Sequence, residues 1–411
     1  MKRSTIGVVI VALIALTIGY LGGIGFHSQE VAEAAGGKVK TPNEVAPDRY
    51  VYYPGTEVLA SDEARIIACG TGMPAARRGQ AAACFLVELG NGDKFLFDLG
   101  TGCMANVAAL MIPMNYLTKV FASHLHTDHI GDLAALWAGG WTGGRTVPLE
   151  VWGPSGSRED MGTAYFVEHF MKAYNWDYMT RAVKVSPIPG SITAHEFDYT
   201  KENEIIYQEN GVTIRSWPAI HAGDGPVSFS LEWNGLKIVY GGDTFPNTWF
   251  TKYAKDADVV IHECMMTSDQ LVKLYNQVPS RAIMMNTDIH ASPQGFGKVM
   301  SMVKPRHAIA YHFFNEEETR YGIYEAIRET YDGPLSMATD MMVWNVTKDK
   351  ITERMAVSTD EAWDVPGEEK GLEPDPTRNP EISETMLKGR LDVSDVNAKW
   401  LAEFKKEHGI K

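Results

Sequence analysis

KVFASHLHTDHIGDL, residues 119–133, is the stretch on which the reading of this chain turns. The whole sequence holds twelve histidines, yet three of them and an aspartate fall within residues 124–129. KVFA is a β-branched and aromatic run, which predicts a strand ending at Ser123. Alternate side chains of an extended chain point the same way, so His124 and His126 are expected on one face. Asp128 and His129 follow where the chain turns, and DLAALWAG beyond Gly131 has helical spacing. Two imidazoles on one side and an Asp/His pair on the other can hold two metal ions close together. A single ion would not need all four.

The totals bound what such a site can serve. The 411 residues are 45% hydrophobic and 22% charged, a globular balance that suits one large α/β domain with appendages or two smaller domains. The net charge is −14 and the isoelectric point is near 5.4. Affinity for nucleic acid rests on Lys and Arg neutralising phosphates, so this balance argues against a large polyanionic partner. It does not argue against a small anion held at a metal.

The N-terminus reads as an address. Lys2 and Arg3 precede an apolar stretch over residues 6–26, with no further charge before Glu30. About 20 apolar residues suffice to cross a bilayer, and the positive flank predicts an inside N-terminus and an exported body. A cleaved signal peptide ending near Ala32-Glu33-Ala34 is the alternative. The run exceeds a usual signal core, which favours a retained anchor. Cys69, Cys84, Cys103 and Cys264 lack CxxC spacing; one disulfide in an oxidising compartment, or four small buried residues, are the two readings.

Further along, EARIIACGTGMP predicts a strand and a glycine turn. AACFLVELGNGDKFLFDLGTG alternates on both sides of Gly90-Asn91-Gly92 and predicts a hairpin, as does the segment around Asn234-Gly235. Helices are expected over 104–118 and over the aromatic-rich 158–182, with strands at PLEVWG, ADVVIHECMM and HAIAYH. Ser292 is the expected cap and Pro293 the first residue of a helix. Past residue 345 the chain is charged and proline-spotted, then amphipathic from about 383 to 407.

SHLHTDHIGD carries an HxHxDH signature and resembles the metallo-β-lactamase superfamily. The downstream order fits as well: His221 after a strand, Asp243 in YGGDT, and His312 at the end of a late strand. The resemblance implies a four-layer αββα sandwich with a di-metal site at one edge of its two sheets. It covers the catalytic domain (62–345); outside it the sequence reads as an anchor or signal segment (1–35), a linker (36–61) and a charged C-terminal extension (346–411). It further implies that His124, His126 and His221 hold one metal, that Asp128, His129 and His312 hold a second, and that Asp243 bridges them. An all nitrogen and oxygen set suits zinc and admits iron or manganese. Asp98 in FLFDLG matches the motif aspartate that supports the ligand loop. Two divalent ions about 3.5–4 Å apart share a water, lower its pKa and stabilise charge on the electrophile. The implied chemistry is hydrolysis of an ester, phosphoester, sulfate ester, thioester or lactone.

VVIHECMM and DIHASPQGFGKV resemble elements of the tRNase Z and arylsulfatase-like branch. In that branch Asp128, His290 and Glu263 would be the catalytic residues, His290 protonating the leaving group while Glu263 orients it. tRNase Z members often insert a long tRNA-gripping arm between the positions of His221 and Asp243. Here one tight hairpin fills the interval. A bridging Asp243 also argues against β-lactam cleavage.

The leading expectation is therefore an exported di-zinc hydrolase of a small sulfate or phosphate ester, attached to the membrane through its N-terminal segment or secreted. The alternatives are a tRNase Z-like phosphodiesterase or ribonuclease, a lactonase or carboxylic ester hydrolase, and a non-catalytic membrane-tethered metal-binding protein. The segments GTGMP, FLVELGNGDKFLFD and WAGGWTGGRTVPLEVWGPSG are also similar to a bacterial group of this fold associated with guanitoxin biosynthesis. Trp137, Trp141 and the aromatic segment 158–182 have two readings: core packing, the commoner fate of helical aromatics, or the lining of a substrate pocket in which Arg145 would meet an anionic group.

Overall fold

Sixteen strands, twelve α-helices and short 3-10 and π turns make up the computed structural model, which describes residues 50–362 and 382–410. The expected anchor or signal segment lies outside the described residues. Among the described residues no helix is long and apolar enough to cross a membrane.

In chain order the strands begin β1 (Val51–Tyr52), β2 (Ala64–Gly70), β3 (Cys84–Leu89), β4 (Lys94–Phe97), β5 (Lys119–Phe121), β6 (Leu149–Pro154) and β7 (Ile192–Phe197). They continue with β8 (Glu204–Glu209), β9 (Val212–Pro218), β10 (Val227–Trp233), β11 (Leu236–Tyr240), β12 (Val259–Glu263), β13 (His307–Tyr311) and β14 (Leu335–Met337). The last two are β15 (Met342–Val346) and β16 (Ile351–Ala356). One sheet has the order β1-β16-β15-β2-β3-β4-β5-β6-β7, the other β14-β13-β12-β11-β10-β9-β8.

Both expected hairpins form, β3 on β4 and β10 on β11. At the second turn Asn234 (φ 50°) and Gly235 (φ 75°) supply the left-handed pair that a two-residue turn needs. The run β4 to β7 is parallel, as is β11 to β14. Parallel neighbours need crossovers. Those of the first sheet carry α1 (Cys103–Ala109), α2 (Thr127–Ile130), α3 (Leu133–Thr142), α4 (Thr163–Ala173) and α5 (Asn175–Arg181). Those of the second carry α6 (Thr248–Tyr253), α7 (Ser268–Lys273), α8 (Pro279–Met284), α9 (Pro293–Val303) and α10 (Glu317–Arg328).

Three apolar layers follow from this winding. Ile67, Leu86, Val120 and Val151 of the first sheet pack on Val107, Leu136 and Val167 of its helices. The other face of that sheet, with Ile66, Phe85, Phe97 and Phe121, packs on Ile214, Phe229, Tyr240 and Ile309 of the second sheet. Val239, Val260 and Ala310 then meet Phe250, Phe296 and Ile323 of the outer helices. The order is helix, sheet, sheet, helix. Fully buried β2, β3 and β12 carry continuous apolar runs because both of their faces are covered.

Several elements depart from expectation. The predicted helix over 104–118 is shorter, ending at Ala109 before a 3-10 turn at Met114–Tyr116. The aromatic segment divides at Tyr174 into α4 and α5. The first sheet takes in β1 and β16, outside the 62–345 span, because β16 pairs with both β15 and β1. C-terminal α11 (Glu384–Lys388) and α12 (Ser394–His408) bury no side chain. All four cysteines are free and buried, so no disulfide forms.

Trp137, Trp141 and Arg145 take the core reading and not the pocket one: all are fully buried and none lines the cavity described below. Trp137 donates to the Gly190 carbonyl at 2.8 Å and Trp141 to that of Ser186 at 2.7 Å. The Arg145 guanidinium donates to the carbonyls of Leu136, Trp137 and Pro189, and burial lowers its pKa to about 10. This arginine ties α3 to the loop before β7 and meets no anion. Arg145→Met is expected to cost roughly 2–4 kcal/mol in a urea melt through lost charged hydrogen bonds and packing. KM for any substrate should stay unchanged; a KM effect without loss of stability would contradict the structural role.

Candidate metal centre

The parallel strands of both sheets end at one edge, and the expected site residues sit on those ends. Asp98 follows β4, His124 follows β5, Asp243 follows β11, Glu263 closes β12 and His312 follows β13. Ligands at the carboxyl ends of parallel strands are the rule for such sheets. Here the two sheets deliver theirs to a shared edge.

Asp98 organises the first half. It takes a left-handed conformation (φ 56°) and is fully buried. Its carboxylate accepts from the Ser123 amide at 2.6 Å, the Ser123 hydroxyl at 2.7 Å and the Tyr240 hydroxyl at 2.7 Å. His129 Nδ1 lies 2.6 Å from the same carboxylate. That contact puts the Nδ1 proton against Asp98 and leaves the Nε2 lone pair free, the arrangement that carboxylates impose on metal-ligating histidines. The loop is then pinned by its backbone, the Leu99 amide donating to the His129 carbonyl at 2.6 Å. His124 and His126 stand on this loop, beyond the end of β5, and not on the strand itself.

The donor atoms converge. His126 Nδ1 is 3.1 Å from His124 Nε2 and 3.2 Å from His221 Nε2. His312 Nε2 is 3.3 Å from Asp128 Oδ2 and 3.2 Å from Asp243 Oδ2. His129 Nε2 is 3.6 Å from Asp128 Oδ2 and 3.2 Å from Asp243 Oδ1. The other Asp243 oxygen is 3.7 Å from His221 Nε2, so this carboxylate stands between the two groups. Buried His129 Nε2 and Asp243 Oδ1 have no hydrogen-bond partner. Such orphaned atoms are costly unless something cationic sits between them. Ligands at about 2.1 Å from a tetrahedral ion stand about 3.4 Å apart, which is the spacing these atoms keep. The residues therefore fit divalent metal ions, in the sets His124/His126/His221 and Asp128/His129/Asp243/His312.

The electrostatics point the same way. Burial, reinforced by His129, pushes His124 well below its ordinary value, and burial takes His221 down to about 4. Both imidazoles are thus neutral, the form a metal requires. Burial would raise Asp128 and Asp243, but His129 and His312 hold both carboxyls down, Asp243 well below the usual range. Burial would likewise lower His129, yet the Asp243 and Asp98 carboxylates raise it strongly. Between those two anions the Nε2 position calls for a cation, either a proton or the metal that replaces it.

Beside this centre lies a third group. His290 Nδ1 is 2.8 Å from Glu263 Oε2, while Glu263 Oε1 accepts from the Thr244 amide at 2.7 Å. The His290 ring stands 4.9 Å from that of His221 and 5.1 Å from that of His312. Burial opposes its charge, but Glu263 and then Asp243 carry its pKa up to about 9. Burial raises Glu263 despite the neighbouring His290. His262, one residue away, is different: it is fully buried against Phe250 and Phe296, with Nδ1 2.6 Å from the Glu263 carbonyl. It points into the helix layer and takes no part in the centre.

A cavity of about 700 Å³ opens over the centre, lined at one end by His124, His126 and His221 and at the other by Tyr165, Phe166, His169 and Phe170 of α4. The aromatic segment thus does line the pocket. His169, without motif context in the sequence, lies there too. The signal that finds it is its spacing of four from Tyr165, which puts both on one helix face.

A family model described as a β-lactamase superfamily domain matches residues 94–313. Ribonuclease Z of Mycobacterium bovis (strain BCG / Pasteur 1173P2) is 29% identical over 229 residues, covering 54% of this chain and 76% of that one. Ribonuclease Z of Mycolicibacterium gilvum (strain PYR-GCK) is 28% identical over 236 residues, covering 56% and 76%. In structure, the metallo-β-lactamase fold protein YhfI from Bacillus subtilis superposes with a TM-score of 0.52 at 16% identity, over 69% of this chain and all of that one (100%). The short form of human tRNase Z gives 0.50 at 18% identity, over 68% and 98%. At these identities the two structures show the fold alone.

Two outcomes test this centre. Asp98→Asn keeps the size but offers amide hydrogens to a site already crowded with donors. It should weaken divalent-metal affinity by about 10–100-fold in chelator competition; unaltered affinity would mean that Asp98 does not orient His129. His262 titrates near 4 when folded, pushed there by burial, against about 6.5 unfolded. Its contribution to stability is complete above about pH 6.5 and lost as pH falls toward 4, about 3 kcal/mol across that window. Urea melts of metal-free His262→Asn should show a correspondingly shallower fall between pH 7 and 4, and an identical slope would count against it.

Proposed function

The chain belongs to the β-lactamase superfamily as a metallo-β-lactamase-fold hydrolase, and on that premise we propose that it cleaves phosphodiester bonds in small substrates. The observation that supports this most is the placing of the Glu263–His290 pair directly beside two converging donor sets. When bound, two divalent ions, zinc by the all nitrogen and oxygen donor set, would supply a water of lowered pKa and polarise the phosphoryl oxygens.

The chain's own residues do the rest. His124, His126 and His221 would hold one ion and Asp128, His129 and His312 the other, with Asp243 shared. Asp98 keeps the loop of His124, His126 and His129 in place. His290 gives a proton to the departing oxygen, and Glu263, on its Nδ1, fixes the ring and supports its charge. Help of this kind matters most for a poor leaving group, as in an alkyl phosphodiester.

Of the sulfate and phosphate esters that the sequence leads one to expect, the ribonuclease Z relatives favour the phosphodiester. They do not carry RNA with them. From His221 to Asp243 the chain has only a loop and the β10–β11 hairpin, and its net charge is −14.

The test uses the zinc-loaded full chain on an alkyl phosphodiester, bis(p-nitrophenyl) phosphate, p-nitrophenyl sulfate and a precursor tRNA. Both diesters should turn over. Asp128→Ala should abolish both activities. His290→Ala should lose about 10²–10⁴ in kcat on the alkoxide-leaving diester and much less on the nitrophenolate-leaving one. Sulfate turnover alone would restore the sulfatase reading, and efficient tRNA cleavage would show that the arm is dispensable. No turnover by parent or variants would move the assignment to lactones or carboxylic esters, or to a metal-binding role.

A further inference from the structure

The wall of the cavity facing the metal centre is a single face of α4. Tyr165, Phe166, His169 and Phe170 are spaced at i, i+1, i+4 and i+5, two adjoining rows of one helix surface. The buried side of the helix is supplied by Thr163 and Val167. Phe166 and Phe170 are half-buried and lean toward the core, Phe170 touching the Trp137 ring edge-on at 5.8 Å. Tyr165 and His169 do not. Both are exposed, and their rings stack on each other 3.9 Å apart with 24° between planes. An aromatic pair held flat against itself and open to a cavity is a ready platform for a third ring.

The charges in the same cavity are equally selective. Among the described residues lining it there is no Lys and no Arg; its charged side chains are Asp160 and Asp224. Asp160 is already paired with Arg158 at 2.8 and 2.9 Å. Among the described residues, then, no lysine or arginine lines the cavity to receive a second phosphate, and Asp224 would repel one. At about 700 Å³ the space is that of a small-molecule site.

We infer that the Tyr165/His169 face of α4 binds an uncharged aromatic group of the substrate, so that the preferred ester carries one anion, at the metals, and one ring, on the helix. This rests on the phosphodiesterase reading for its bond but not for its binding site. The polymer of charges that an RNA backbone presents is the substrate this cavity is built against.

The experiment separates the two claims. Calorimetry on the zinc-loaded full chain compares phenylphosphonate, methylphosphonate and methylenediphosphonate, probes that need no turnover. Phenylphosphonate should bind about fivefold to tenfold tighter than methylphosphonate. Tyr165→Ala and His169→Ala, both exposed positions, should each reduce that preference to less than about twofold while leaving methylphosphonate affinity unchanged. In parallel, kcat/KM for p-nitrophenyl phenyl phosphate should exceed that for methyl p-nitrophenyl phosphate, with the same two variants erasing the difference. Equal binding of the two monophosphonates, absence of binding, tightest binding of the diphosphonate, or a preference untouched by both variants would each overturn the aromatic site. Failure of both diesters to turn over would sink the phosphodiesterase reading, and the phosphonate comparison would still decide this one.

Discussion

Four carboxylates, those of Asp98, Asp128, Asp243 and Glu263, are buried together at one edge of this molecule. A buried anion is tolerated only when it is paired or richly hydrogen-bonded. Asp98 meets the requirement with hydroxyl and amide donors and the His129 ring, and Glu263 meets it with Thr244 and His290. Asp128 and Asp243 have imidazoles as their neighbours, and one Asp243 oxygen has no hydrogen bond at all. Divalent cations held there would complete the balance. The edge is organised around charge that the polypeptide alone does not neutralise.

Meeting that constraint shapes the backbone around it. Asp98 and His312 both take positive φ, 56° and 75°, just where their strands end and the chain must turn its side chains inward. His312 is then held by its own amide, which donates to the Thr71 carbonyl at 2.9 Å. Thr71 is in turn fixed by the Asp340 carboxylate at 2.7 and 3.0 Å, so the second sheet's last ligand leans on the glycine turn after β2. Gly242, before Asp243, has φ 60°, and a Cβ there would stand 2.5 Å from that of Ser123. A glycine is what lets the two sheets bring Asp243 against the loop of His124.

The aromatic wall above the centre comes from a crossover and not from the strand ends that carry the ligands. The crossover between β6 and β7 contributes α4 and α5, and with them the aromatic face of the cavity. The interval from His221 to Asp243 contributes only a loop and a hairpin. A site held at strand ends under walls supplied by loops and helices is how one fold serves many substrates.

Much of the centre was legible in the sequence because its signals are local. HxHxDH, the turn at Asn234-Gly235, the Ser292 cap and the strands that lead to Glu263 and His312 each depend on a few adjacent residues. Asp98, His290 and Glu263 were likewise in recognisable neighbourhoods. What the sequence left open is what depends on partners far away. The apolar face of a helix announces that it is covered, not by what: Trp137, Trp141 and Arg145 turned inward to carbonyls some 8–53 residues away, while Tyr165 and His169 turned to the cavity. The sheet gained β1 and β16, short edge strands whose pairing joins residues about 300 positions apart, such as Val51 with Met355. Sequence alone determined which residues could meet a metal. Only the packing of two sheets, which sets what is buried against what, decided where those residues stand and what the space above them can hold.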